Sequence, residues 1–106
     1  MSQKPVVRRR RASDDIEAAI DFCLAEAGIE IASSFVSQLE EAIKRIAKQP
    51  AAGSERYGHE LQIHNLRKWP IKRFPFFIFY IEKKDRIEVV RVLHKNMDMP
   101  TRLDDQ

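Results

Sequence analysis

Apolar residues recur at helical spacing in the first half of the chain and in short runs in the second half. Within 14–27, Ile16, Ala19, Ile20, Cys23, Leu24 and Ala27 lie along one stripe, as an amphipathic helix requires. Ser13 or Asp14 can cap this helix, and Asp14 with Glu17 has capping-box spacing. Asp14, Asp15 and Glu17 would then face the positive end of the helix dipole. Gly28 supplies the stop, because a helix end often takes a left-handed residue. A second stripe, Ala32, Phe35, Val36, Leu39, Ile43, Ile46 and Ala47, predicts a helix over about 30–48. Lys44, Arg45 and Lys48 load its C-terminal end, and Pro50 and Gly53 close it. So short a connection folds the two helices back as an antiparallel hairpin, and both stripes then need a common layer.

The second half supplies that layer. Residues 76–81, Phe-Phe-Ile-Phe-Tyr-Ile, are aromatic and β-branched and apolar on both faces, which predicts a central strand. Lys83, Lys84 and Asp85 turn the chain into a second strand over 87–93. Upstream, 66–71 is a weaker strand. Pro70 cannot donate a ladder hydrogen bond there, so this strand belongs at an edge or carries a bulge. Val6 and Val7 begin a further strand. The expected fold is α+β, in the order β-α-α-β-β-β. An antiparallel helical hairpin packs on one mostly antiparallel sheet, forming a single domain over 1–98 with a polar tail over 99–106.

With 106 residues, the chain has room for one domain with one modest core. Its single cysteine, Cys23, excludes an internal disulfide and a cysteine-based zinc site and fits a reducing cytoplasm. Cys23 lies on the apolar stripe and reads as an inert core thiol. No apolar run approaches a membrane span, and no signal core follows Arg8–Arg11. The net charge of +3 is unevenly divided. Residues 1–12 carry +5, residues 13–53 carry −5, and residues 54–106 carry +3. An acidic middle lies between basic flanks. Where those flanks meet, the surface suits nucleic acid or an acidic partner chain.

The chemical inventory is sparse. His59, His64 and His94 have no metal-ligand spacing, the three glycines form no phosphate loop, and no nucleophile elbow is present. No cofactor and no metal is therefore expected. RNA cleavage through the 2′-hydroxyl needs a base, an acid and cations for the phosphorane. Arg67, Lys68, Lys72, Arg73 and Arg91 could supply the cations and His94 the acid. Equally, Arg91 and His94 could anchor the C-terminal tail or pair with Asp98. Trp69 and Phe74 could stack bases or belong to the core. A catalytic set here would be Arg73, Arg91 and His94, working without metal, but no carboxylate is placed to complete it.

Residues 66–98 resemble the C-terminal half of ParE toxins of the RelE/ParE superfamily. The resemblance rests on Leu66-Arg67, Trp69, Phe74-Pro75, Phe79-Tyr80, the closing Arg91-Val92-Leu93-His94, and Asp98. In the first half it rests on Ala12, Asp15-Ile16, Ala32, Phe35, Pro50 and Gly53, so it runs from about residue 6 to 98. It implies the toxin of a type II toxin–antitoxin system, a growth inhibitor linked to plasmid stabilization. Such a toxin poisons DNA gyrase by trapping its DNA cleavage complex, and a ParD-like antitoxin neutralises it in a hetero-oligomer. Promoter DNA would be bound only through that complex. Arg67, Lys68, Trp69, Lys72, Arg73, Arg91, His94 and Lys95 become the candidate target contacts. The alternative is a ribosome-dependent mRNA endoribonuclease of the RelE type, although no tyrosine follows His94. A third reading is a non-toxic protein that pairs with the antitoxin and regulates transcription.

Overall fold

The computed structural model describes residues 3–55 and 64–96. The chain runs β1 (Val6–Arg8), α1 (Arg10–Ala27), α2 (Ile29–Lys48), a 3-10 turn (Pro50–Ala52), β2 (Leu66–Pro70), β3 (Phe76–Glu82) and β4 (Ile87–His94). The four strands form one sheet in the order β1-β4-β3-β2. β2, β3 and β4 are antiparallel neighbours, and β1 joins β4 in parallel. The α+β order is thus the one expected, and the Pro70 strand lies at an edge. The bulge lies elsewhere. Phe79 faces Arg91 and Tyr80 faces Val89, leaving Val90 as the extra residue of β4. Residues 97–106, with Asp98 and the tail, lie outside the described residues, as does His59.

Alternation along β3 builds two apolar faces. Ile78 and Tyr80 join Ile87, Val89 and Val92 beneath the helices, where they meet Ile16, Ala19, Cys23, Phe35, Leu39 and Ile46. Leu66, Phe79, Val90 and Leu93 form a second cluster with Phe77 and Ile81. Phe35 is fully buried and meets Phe74 and Phe76 edge-on, at centroid distances of 5.3 and 5.4 Å. Gly28 alone links the helices. At φ 94° it donates its N–H to the Cys23 and Leu24 carbonyls, while its own carbonyl accepts from Ala32.

Three sequence expectations need correction. α1 begins at Arg10, not near Asp14, and neither Ser13 nor Asp14 caps it. The start is set by tertiary contacts: the Arg9 N–H donates to Val89, and the Ser13 N–H already bonds back to Arg9. The buried stripe of α1 ends at Cys23, leaving Leu24 and Ala27 exposed. Gly53 does not cap α2, which ends at Lys48 with Gln49 after it. Its role is to leave room, because a Cβ there would collide with the Tyr80 hydroxyl and come within 2.9 Å of Tyr80 Cζ.

Candidate functional site

The turn between β2 and β3 is tight. Ile71 N–H donates to Phe76 O at 3.0 Å, Phe74 N–H donates to Ile71 O at 3.2 Å, and Arg73 is left-handed at φ 73°. For a residue with a Cβ that conformation costs on the order of 1 kcal/mol. β4 finishes beside this turn. His94 pairs with Phe76, and the Lys95 N–H extends the ladder to Pro75 O at 2.8 Å. Lys72, Arg73, His94 and Lys95 therefore gather at one end of the sheet. Lys72, Arg73 and Lys95 are exposed, and among the described residues no carboxylate pairs with them. The His94 ring stands edge-on to Phe76 at 5.3 Å, and its Nδ1 accepts from the Asn96 N–H at 3.1 Å. The ring proton is thereby assigned to Nε2, the nitrogen left to meet a ligand.

The remaining candidates do not join that group. Arg91 is held by Asp15 of α1, with Nε to Oδ2 at 2.8 Å and Nη2 to Oδ1 at 3.1 Å. The same carboxylate accepts the Val92 N–H at 3.0 Å. β1 ends at Arg8, so Asp15 takes the place of a strand carbonyl along the uncovered part of β4. Hydrogen bonding to Asp15 raises the Arg91 guanidinium above its ordinary value, with desolvation opposing. Arg67 donates to Gly53 O at 2.8 Å and sits 3.1 Å from Glu55. The Lys68 ammonium lies over the Phe77 ring, 4.5 Å from its centroid. Phe74 is committed to Phe35 and is not a base-stacking platform. Trp69 is half-buried against the core.

Beneath these side chains lies a buried polar knot. The Tyr80 hydroxyl, fully buried, donates to Pro50 O at 2.7 Å and accepts the Gly53 N–H at 3.1 Å. Burial raises the phenol above its ordinary value. With Arg67 on the Gly53 carbonyl, this knot fixes the chain after α2 against β2 and β3. Sequence reasoning missed it, and the only signal was a tyrosine in an otherwise apolar strand. It also missed Glu88, buried between Arg9 at 2.7 Å and Arg86. Burial pushes that carboxyl up, but the two arginines outweigh it and hold the group below its ordinary value.

The basic flanks do meet, because β1 lies beside β4, but much of their charge is matched by acids. Lys4 pairs with Glu82, Arg9 with Glu88 and Arg91 with Asp15. Among the described residues no group of histidine, cysteine and carboxylate side chains could hold a metal ion. The burial of Cys23, which raises its thiol, agrees with the core-thiol reading.

Residues 6–99 match the family model described as the ParE toxin of the type II toxin–antitoxin system, parDE. Among solved structures, the chain is similar to one described as the chromosomal ParDE TA system from P. aeruginosa, with a TM-score of 0.74 and 21% identity. That similarity covers 87% of this chain and 96% of the other, and at this identity it speaks for the fold. No curated protein matches the chain.

Proposed function

The chain belongs to the ParE toxin family of type II toxin–antitoxin systems, and we propose that it acts by poisoning DNA gyrase, trapping the gyrase–DNA cleavage complex and stopping replication. In this reading it is a cytoplasmic protein neutralised in a hetero-oligomer by a ParD-like antitoxin, which carries the complex to promoter DNA. Family membership carries the proposal. Further support comes from the Asp15 clamp on Arg91, because a guanidinium held in two hydrogen bonds by a carboxylate is poorly available to stabilise a phosphorane. The exposed cations Lys72, Arg73 and Lys95 are the contacts proposed for gyrase or its DNA. No described helix is long and apolar enough to cross a membrane.

The test is a cleavage assay with purified gyrase and supercoiled plasmid. Added toxin should accumulate linear plasmid after protein removal, and antitoxin should prevent it. Unchanged cleavage and supercoiling at high toxin concentration would end this reading.

One observation favours a second reading, a metal-independent, ribosome-dependent endoribonuclease. Phe76 holds the His94 ring at the sheet end where Lys72, Arg73 and Lys95 collect. His94→Ala should then abolish transcript cleavage while folding and antitoxin binding persist. An intact transcript pool after induction excludes it.

A further inference from the structure

Five large apolar side chains are exposed among the described residues: Val7, Phe22, Leu24, Ile29 and Ile31. They fall in two places. Phe22, Leu24, Ile29 and Ile31 lie within six residues of Gly28, at the tip of the helical hairpin, and Ile29 is the most open at 72%. Asp21, Glu26 and Glu30 stand exposed among them, and between Arg11 and Lys44 the chain has no lysine, arginine or histidine. The tip is thus apolar and purely acidic. Val7 marks the second place, on the edge strand β1. Arg8, Arg10 and Arg11 follow it, all exposed. Among the described residues, neither these three arginines nor the three tip acids form a salt bridge. With 18 residues, α1 is about 27 Å long and holds the two places apart. One chain cannot lay its own tip on its own arginines.

We propose that the chain associates head to tail with further copies of itself, the hairpin tip of one copy seated on the β1 edge and first turn of α1 of the next. Each surface supplies what the other lacks. The carboxylates of Asp21, Glu26 and Glu30 meet Arg8, Arg10 and Arg11. The apolar side chains of the tip cover Val7 and the aliphatic stems of the arginines. Exposed apolar groups gathered together and rimmed by charge mark an association surface rather than ordinary scatter. A two-fold pairing of tips would bury the same apolar groups but set acid against acid, and a pairing of two β1 edges would set arginine against arginine. Like charges brought together at a contact cost affinity. The contact is therefore heterologous, and its repetition builds a ring or an open chain of copies rather than a closed dimer. It does not involve Lys72, Arg73 or Lys95, so it stands whether or not gyrase is the target.

Sedimentation equilibrium of the purified full chain at low salt, up to about 100 µM, is the test. The average mass should rise with concentration past that of two chains and fall as salt is added. Two variants separate the surfaces: Phe22→Ser with Ile29→Ser at the tip, and Arg10→Glu with Arg11→Glu at the basic patch. All four positions are exposed, and acids suit a helix N-terminus, so both variants should keep the far-ultraviolet dichroism of the wild type. Each alone should self-associate about tenfold more weakly or worse. Mixed, they should form a dimer that grows no further, because one intact tip meets one intact patch. A wild type that stays monomeric over this range, leaving the tip to a different protein, would overturn the proposal. So would undiminished self-association of either variant alone (for the patch variant, the mark of tip-to-tip pairing), or a mixture that remains monomeric.

Discussion

Replacing Asp15 with alanine removes one small side chain and leaves two groups unpaired. The Arg91 side chain is only 16% exposed, and its guanidinium loses contacts of 2.8 and 3.1 Å. The Val92 N–H loses a bond of 3.0 Å on a strand edge that β1 does not reach. Removing one partner of a buried ion pair costs about 3–5 kcal/mol, and an unmet backbone N–H about 1–3 kcal/mol. These overlap, because one carboxylate serves both and the arginine can turn partly to water. We expect a loss of about 3 kcal/mol. In a chain of this size that lowers Tm by on the order of 15 °C. Urea unfolding followed by far-ultraviolet dichroism measures it. Asp15→Ala combined with Arg91→Met should recover part of the loss, since the buried charge goes and only the Val92 N–H remains unmet. A cost below about 1 kcal/mol for Asp15→Ala, or a double variant as unstable as the two single losses added, would refute the clamp as a structural element.

Tyr80→Phe should cost about 1–3 kcal/mol by stranding the Gly53 N–H and Pro50 carbonyl. Gly53→Ala should cost at least as much through the collision with the tyrosine ring, and chemical denaturation of both variants checks this. Arg73→Gly should leave stability unchanged or raise it by about 1 kcal/mol, because the left-handed backbone is relieved. A lower Tm for Arg73→Gly would show that the arginine side chain holds the turn. The Glu88 carboxyl is depressed in the folded protein, so the unfolded chain binds the proton more readily. Its stabilising contribution is whole above the ordinary glutamate range near ~4.3 and is lost as pH falls through the lower folded value. Glu88→Gln should flatten the acid limb of the stability–pH curve, and a limb of unchanged slope would remove Glu88 from the account.

Much of the fold was legible because its signals are local. Helical stripes, the Gly28 stop, the apolar run 76–81 and the awkward Pro70 each act over a few residues. What stayed hidden depends on distant partners. The start of α1 is decided by Arg9 against Val89, and nothing between residues 9 and 14 records that. Asp15 looked like a helix-end acid because its true partners, Arg91 and Val92, lie 76 and 77 residues away. Gly53 looked like helix punctuation because the ring that forbids a side chain there belongs to Tyr80. For the candidate site, sequence named a set of cations but could not say which of them were occupied by acids or carbonyls. Lys72, Arg73 and Lys95 remain exposed, whereas Arg67 and Arg91 hold the scaffold together.

The parallel seam between β1 and β4 also bears on the order in which the sheet can assemble. The contacts that close it, Lys4 to Glu82 and Arg9 to Glu88, span 78 and 79 residues. Closing so long a loop carries an entropy cost before any contact repays it, and such topologies fold slowly. During synthesis β1 has no strand to pair with until β4 has been made. The seam therefore closes only once β4 is available, so β1, the first strand to be made, is among the last elements to find its place in the sheet.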